Sequence, residues 1–470
     1  MRVRAALPSA PDSHAAESTV RRTSALLALL VGPPARRDFA IRLWEGSTIP
    51  AAPDQPLRFT LVLRHPGALR RMFWPPSELA IGEAYLRDDF DVEGDLEAAT
   101  GLVDVIVARL QSVPALAHFL AGLAGLPDGA PAPQPERRRG VPRLAGRAHS
   151  RSRDAVAVRS HYDLGTDFYA LWLDPWLVYS CAYFAEPAWD LAAAQEAKLE
   201  LICRKLRLRS GERLLDIGCG WGGLVLYAAQ RYGVHAAGIT LSWPQATLAR
   251  MRIAAAGLED RCRIEVRDYR DLPAAPLYDK VVSVGMFEHA GRAQLPAYFA
   301  AAYRHLRPGG LFLNHGIVDL APHAQAGARD RLLQRLWHPG AFVQRYVFPD
   351  GELVAPAAAI GYAEGAGFET RDVESLREHY TLTLRQWVRR LEARHAEAAA
   401  LVGEETYRVW RLYMAASAHG FARGDIGLIQ ALFSKALPDG RTDLPATRAD
   451  LYATSLPVGA DRPPQQAPQG

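Results

Sequence analysis

Four cysteines in 470 residues, Cys181, Cys203, Cys219 and Cys262, include no Cys-x-x-Cys pair and no Cys/His spacing suited to zinc. That excludes a disulfide framework and a thiolate metal site, and no metal is expected. Long apolar runs are equally scarce. The longest near the N-terminus, Ala25 to Val31, is far short of the roughly 20 residues that span a bilayer and starts too late for a good signal peptide. Charge of one sign is missing too: 55 Lys and Arg against 51 Asp and Glu leave a net +4, so wholesale coating of nucleic acid is excluded and no nucleic-acid partner is expected. What is present, 49% hydrophobic and 23% charged residues, is ordinary for a globular chain with enough length for several domains. The natural reading is a reduced, cytoplasmic protein that meets any lipid from the aqueous side.

Residues 1–36 are rich in Arg, Ala, Ser and Pro and read as a mobile leader with one short helix around Ala25 to Val31. Phe39, Ile41 and Leu43 alternate with more polar neighbours, and Phe59, Leu61 and Leu63 do so after the turn-forming stretch Ala52 to Pro56, which predicts paired strands. Leu79 to Tyr85 and Leu96 to Leu123 predict helices, so residues 37–125 form a small α+β domain. Residues 126–153, dense in Pro and Gly, carry Arg137, Arg138, Arg139, Arg143, Arg147, Arg151 and Arg153 and are a linker by composition. Two readings of that charge stay open: a solvated connector, or attraction to anionic phospholipid at about 1 kcal/mol per basic residue near the surface. From 154 to 437, helical segments alternate with short apolar strands at Arg213 to Ile217, His235 to Thr240, Cys262 to Val266, Lys280 to Val284 and Gly310 to His315, the pattern of a doubly wound α/β sheet. Residues 438–470 are a C-terminal tail whose end is rich in Pro, Gln and Gly.

The strongest single motif is Leu214-Leu215-Asp216-Ile217-Gly218-Cys219-Gly220-Trp221-Gly222-Gly223, followed by the apolar run Leu224 to Gln230. A strand ends, glycines allow a tight turn with close backbone approach, and a helix begins. Dinucleotide, flavin and S-adenosylmethionine sites share that plan. An acid placed before the glycines favours the last, because a carboxylate holds an ammonium and repels a pyrophosphate. The acid that a nicotinamide-binding fold places about 20 residues on is absent from Gly238-Ile239-Thr240-Leu241-Ser242. That counts against NAD, although many methyltransferases also carry an acid there. Asp268 and Tyr269 follow the third strand, where a carboxylate and an aromatic ring bracket an adenine.

Several ordered segments together resemble the cyclopropane-fatty-acyl-phospholipid synthases and mycolic acid cyclopropane synthases over about residues 155–435. They are His161-Tyr162-Asp163-Leu164-Gly165, Tyr179-Ser180-Cys181-Ala182-Tyr183-Phe184, the Asp216 to Gly223 loop, Gly238 to Ser242, Gly285-Met286-Phe287-Glu288-His289, Asn314-His315-Gly316-Ile317 and Tyr380. Trp74-Pro75-Pro76 and Gly82-Glu83-Ala84-Tyr85 are similar to the amino-terminal domain of the longer, phospholipid-acting members. The resemblance implies a Rossmann-like methyltransferase that moves a methyl group from S-adenosylmethionine to a cis double bond of a phospholipid acyl chain. Ring closure then loses a proton to a bound bicarbonate. It implies that bicarbonate is held by the side chains of Glu288, His315 and Tyr380 and by backbone groups at Cys181 and Ile317. For the cofactor it implies Tyr179, Ser180, Asp216, Gly218, Gly220, Thr240, Gln245, Asp268 and Tyr269.

The chemistry suits those residue types. An alkene is a poor nucleophile, so positioning carries much of the work. His and Tyr donate to an oxyanion, and Glu288 accepts the bicarbonate hydroxyl. Blander readings stand beside these: Glu288 and His289 suit a helix start, His315 a satisfied core histidine, Tyr380 simple packing and Cys181 a small buried hydrophobe. Among the rings, Tyr169, Phe184, Tyr298 and Trp337 are candidates for stabilising a cation through their π faces.

Two departures from the family pattern matter. His315-Gly316-Ile317 stands where His-Thr-Ile is common and is expected to add backbone freedom. Ser417 stands where many members carry a cysteine, so no thiol mechanism is expected there. An insertion between Ile317 and Tyr346, rich in Ala and Arg, is expected at the acyl entrance or in a membrane-facing lid. Other outcomes of the same chemistry are a methylene- or methyl-branched chain or, less in keeping with the motifs, a methylated small molecule. The implied partner is unsaturated membrane phospholipid, met by peripheral contact at the inner face of the cytoplasmic membrane. Family members are often homodimers, though the sequence itself carries no interface signal.

Overall fold

Strands β1 (Phe39–Arg42), β2 (Thr48–Ile49), β3 (Phe59–Leu63) and β4 (Phe90–Gly94) form a sheet in the order β2-β1-β3-β4. The alternation read from the sequence places Phe39 opposite Phe59 in the parallel β1–β3 pair, and their rings stack with centroids 4.8 Å apart. The structure, a computed structural model, describes residues 13–32, 37–128, 144–320, 337 and 340–452. Residues 1–12 of the leader, Arg137, Arg138, Arg139 and Arg143 of the arginine stretch, residues 321–336 of the insertion and residues 453–470 of the tail lie outside them.

Two compact units emerge, and the sheet above belongs to the first. Its helix α1 (Ser13–Val31) is longer than the short helix expected at Ala25 to Val31, because Thr23, Leu26, Leu27 and Leu30 share one buried side. Helices α2 (Ala68–Phe73) and α3 (Glu78–Leu86) follow, the latter capped by the Ser77 hydroxyl accepting from Ala80 N–H. The helical stretch expected over Leu96 to Leu123 is two helices, α4 (Leu96–Arg109) and α5 (Val113–Ala124), bent by 116°. Ser112 caps the second, and Pro114 in its first turn suits a fresh start rather than a continuation. Chain from far along the sequence joins this unit: the Trp337 ring lies 6.4 Å from Phe73, and Glu78 accepts from the Gly340 amide at 2.6 Å.

In the second unit, α6 (Arg151–Tyr162), α7 (Thr166–Ala170) and α8 (Leu191–Lys205) precede the sheet. Strands β5 (Arg213–Ile217), β6 (His235–Thr240), β7 (Cys262–Val266), β8 (Tyr278–Val284), β9 (Leu306–Asp319), β10 (Glu369–Ser375) and β11 (Ile426–Ser434) line up as β10-β11-β9-β8-β5-β6-β7. The pairs from β7 to β9 are parallel, and β11 runs antiparallel to both β9 and β10. Leu214 and Leu215 show why both faces are covered. Leu214 packs with α8, α9 (Gly223–Tyr232) and α10 (Trp243–Ala255), while Leu215 packs with α11 (Phe287–Ala290), α12 (Leu295–His305) and the helix Pro356–Gly365. This is the doubly wound sheet that the alternation predicts.

Arg151 and Arg153, expected in a linker, instead open α6 and are paired, Arg151 with Asp271 at 2.8 Å and Arg153 with Asp350 at 2.7 Å. Part of the expected tail is likewise tied down: Asp450 pairs with Arg207 at 2.7 Å, and Arg448 with Asp372 at 2.7 Å. Among the described residues no single helix is long and apolar enough to cross a membrane.

Candidate active site

From β5 the sheet grows outward in two directions, to β6 and β7 on one side and to β8 and β9 on the other. The crevice at the carboxyl ends of the strands beside such a reversal is where doubly wound folds bind ligands. A cleft opens there, and all nine residues assigned to the cofactor line it. Gly218, at φ +90°, makes the turn that brings its own amide and that of Cys219 onto the Ile239 carbonyl, each at 2.9 Å. The loop is thereby pinned between β5 and β6.

Each cleft residue is held by local chemistry. The Asp174 carboxylate accepts from the amides of Trp176 at 2.8 Å and Val178 at 2.9 Å. Gln195 then donates to the Ser180 carbonyl at 2.8 Å, so Tyr179 and Ser180 are fixed from both sides. Thr240 donates to Gln245 Oε1 at 2.7 Å, which ties the end of β6 to α10. The Asp268 carboxylate is taken up by Arg270, whose amide and Nε donate at 2.9 and 2.8 Å; Tyr269 beside it is buried. Arg270 also pairs with Asp154 of α6 at 3.0 Å, which makes α6 a wall of the cleft.

Asp216, at the end of β5, is 2% exposed, and its Oδ1 has no partner among the described residues. Burial raises its pKa to about 7, against the pull of Lys198. Lys198 is equally buried, donates to Ser180 Oγ at 3.0 Å and forms no ion pair among the described residues. Burial lowers its pKa to about 8. A separated acid and base in one wall of the cleft match the ammonium and carboxylate of an amino-acid end, so the residues fit S-adenosylmethionine. Nothing in the spacing of α8 marked Lys198; an exposed helix lysine has the same sequence signature.

The five residues assigned to bicarbonate do not line this cleft. Four of them are buried and Ile317 is half-buried. The Ile317 amide donates to Glu288 Oε1 at 2.7 Å, so in this structure that backbone group positions the carboxylate. Glu288 Oε2 has no partner among the described residues, and burial raises the Glu288 pKa to about 7. His315 is 1% exposed, with Nδ1 facing Gln430 and Nε2 without a partner among the described residues. A satisfied core histidine would not leave that atom bare. Cys181 and Tyr380 converge on the Leu376 carbonyl, through the thiol at 3.7 Å and the amide at 3.1 Å. Burial pushes the thiol pKa up, which leaves it protonated and inert. Burial also raises the Tyr380 pKa, helped by the neighbouring Tyr413, Cys181, Glu288 and Tyr162, so its hydroxyl stays a donor.

Gly316 supplies room rather than the expected backbone freedom: it sits in regular strand pairing opposite Ile429, and the Phe287 ring occupies the place of its side chain. Of the candidate rings, Tyr169 joins a cluster with Tyr179, Trp172, Trp221 and Trp410. Tyr298 donates to Asn314 at 2.9 Å, and Phe184 is buried with its amide on His379. Trp337 belongs to the first unit. His161, Trp387, Trp410 and Tyr413 were missed as part of this aromatic assembly, in which His161 lies 4.9 Å from Trp410 and Trp387 lies 5.2 Å from Tyr179. The spacing of Trp410, Tyr413 and Ser417 along one helix face was the available signal; Ser417 hydrogen-bonds Tyr413.

Comparison with known proteins converges on the same unit. The mycolic acid cyclopropane synthetase family matches residues 149–431. A protein of Pseudomonas putida named "Probable fatty acid methyltransferase" is 41% identical over 88% of this chain and 95% of its own length. The cyclopropane-fatty-acyl-phospholipid synthase of Escherichia coli strain K12 is 38% identical over 62% of this chain and 71% of its own. The crystal structure of mycolic acid cyclopropane synthase CmaA1 complexed with SAH and CTAB superposes with a TM-score of 0.56 and 34% identity, covering 60% of this chain and 98% of that one. With the glycine loop, the acid before it and the doubly wound sheet all in place, the chain belongs to the mycolic acid cyclopropane synthetase family of S-adenosylmethionine-dependent methyltransferases.

Proposed function

We propose that the protein methylates the cis double bond of an unsaturated phospholipid acyl chain and closes a cyclopropane ring, with bicarbonate as the base. The observation that carries this reading is the pair of unpartnered buried atoms, Glu288 Oε2 and His315 Nε2, beside a cleft that fits the methyl donor. Bicarbonate has both a hydroxyl and anionic oxygens. An acceptor and a donor, both buried and both without a partner among the described residues, are the complement it needs, and an unsatisfied buried polar group costs about 1–3 kcal/mol.

S-adenosylmethionine, when bound, supplies an electrophilic methyl group, and bicarbonate supplies the base. The chain's own part is orientation and exclusion of water. Asp216 and Lys198 receive the amino-acid end of the donor, with Thr240 at the end of β6, Gln245 in α10, and Asp268 and Tyr269 after β7. Tyr380 and His315 offer hydrogen-bond donors, and Glu288 an acceptor. The rings of Tyr179, Trp387 and Trp410 present π faces to positive charge that develops on the alkyl chain. The substrate is met at the inner face of the cytoplasmic membrane by peripheral contact, to which the arginines before α6 contribute.

Lipids extracted from cells expressing the protein, analysed by mass spectrometry with fragmentation and NMR, test this. Unsaturated phospholipid chains should gain the mass of one methylene as a ring. A gain without a ring identifies a methylene- or methyl-branched product, and no gain removes both. Vesicle adsorption at low salt, with Arg137, Arg138, Arg139 and Arg143 replaced, tests the membrane contact.

A further inference from the structure

His315, Gln430 and Glu374 form one row across three strands. His315 faces Gln430 between β9 and β11, and Gln430 faces Glu374 between β11 and β10. Lys205, the last residue of α8 and 1% exposed, closes on this row: its ammonium donates to Gln430 Oε1 at 2.9 Å and to Glu374 Oε2. An ammonium has only donors, so the amide must turn its oxygen toward Lys205 and its NH2 the other way. On that other side, Gln430 Nε2 lies 3.1 Å from His315 Nδ1. The NH2 group can only donate, so Nδ1 must be the bare nitrogen. Burial and the positive charges of Lys198 and Lys205 keep the ring neutral, with a pKa well below that of a free histidine. A neutral imidazole has one proton, and only Nε2 is left to carry it.

We propose that Gln430 and Lys205 are positioning residues that lock His315 in its Nε2–H tautomer, so that the imidazole meets an anion only as a donor. Glu374 completes the lock by balancing the Lys205 charge. What the Nε2–H is for rests on the bicarbonate reading; the tautomer does not. Within the row each polar group has a partner except His315 Nε2.

Nitrogen-15 spectra of the full chain with labelled histidine read the tautomer directly, the His315 signals being assigned by their loss in His315→Asn. The wild type should show a pyrrole-type Nε2 and a pyridine-type Nδ1 throughout the neutral range. In Gln430→Glu the new carboxylate only accepts, so the proton moves to Nδ1; turnover should then fall by about 100-fold or more with cofactor affinity retained. A wild-type spectrum with the proton on Nδ1 overturns the proposal without any variant, and so does an unchanged tautomer in Gln430→Glu. If the tautomer inverts but turnover holds, the lock stands and the anion role of His315 falls.

Discussion

Phe287 fills the space that a side chain at residue 316 would need: a Cβ on Gly316 would lie 1.9 Å from Cε1 and 2.3 Å from Cδ1 of the ring. Phe287 precedes Glu288 in α11, and the Glu288 carboxylate accepts from the amide of Ile317, the residue after Gly316. Gly316→Ala should therefore lower stability by about 1–3 kcal/mol, the usual cost of overpacking, and reduce turnover more than cofactor affinity. Denaturant unfolding and steady-state kinetics check it. Adding Phe287→Leu should recover part of both losses, and additive effects of the two changes would show that the residues are not coupled.

Glu288→Gln keeps the acceptor for the Ile317 amide but removes the ionisable group. Turnover should drop by about 100-fold or more, while calorimetric binding of S-adenosylmethionine is retained. Full activity in this variant would remove Glu288 from the chemistry.

Asp216 gives a signed pH effect. Its pKa rises from 3.8 to about 7 on folding, so between those values the folded state holds a proton that the unfolded chain has lost. Stability from this group is complete below the unfolded pKa and is lost as pH rises through about 7. The buried histidines His161, His289 and His315, whose pKa values are lowered, act in the opposite sense. The difference between wild type and Asp216→Asn isolates the single group: the wild type should lose stability relative to the variant from acid to neutral pH, and parallel curves would contradict the shift.

Lys198→Met should weaken cofactor binding by about tenfold, the loss of one charge-assisted contact, with little change in kcat at saturation. Since burial holds the Lys198 pKa near 8, wild-type cofactor affinity should fall as pH rises beyond it, and the Met variant should not show that fall. Binding curves over alkaline pH decide the matter.

How legible all this was in the sequence depended on whether a feature lives in local pattern or in the meeting of distant strands. Strands β5, β6 and β7 stood out as short apolar runs, and the loop after β5 by its glycines. Strand β10, with alternate residues exposed, lacked an apolar run and passed unseen as an edge. Glu288, His315 and Tyr380 were visible through family likeness, yet no spacing announced Lys198, Lys205 or Gln430. Their importance comes from burial of polar ends, which a helical lysine or a strand glutamine does not signal until neighbours close over it. The 116° break between α4 and α5 was masked because a capping serine inside an apolar stretch reads equally well as a helical residue.

The wall that α6 contributes to the cofactor cleft is unusual in its fastening. Of that helix only His161 is buried, and its first turn is held by arginine–carboxylate pairs, Arg151 to Asp271, Arg153 to Asp350 and Asp154 to Arg270. Salt screens exposed pairs and largely spares enclosed ones. Of the three, only the Arg151–Asp271 contact is open to the surrounding electrolyte, while the Asp154–Arg270 fastening beside the cleft is insulated from it.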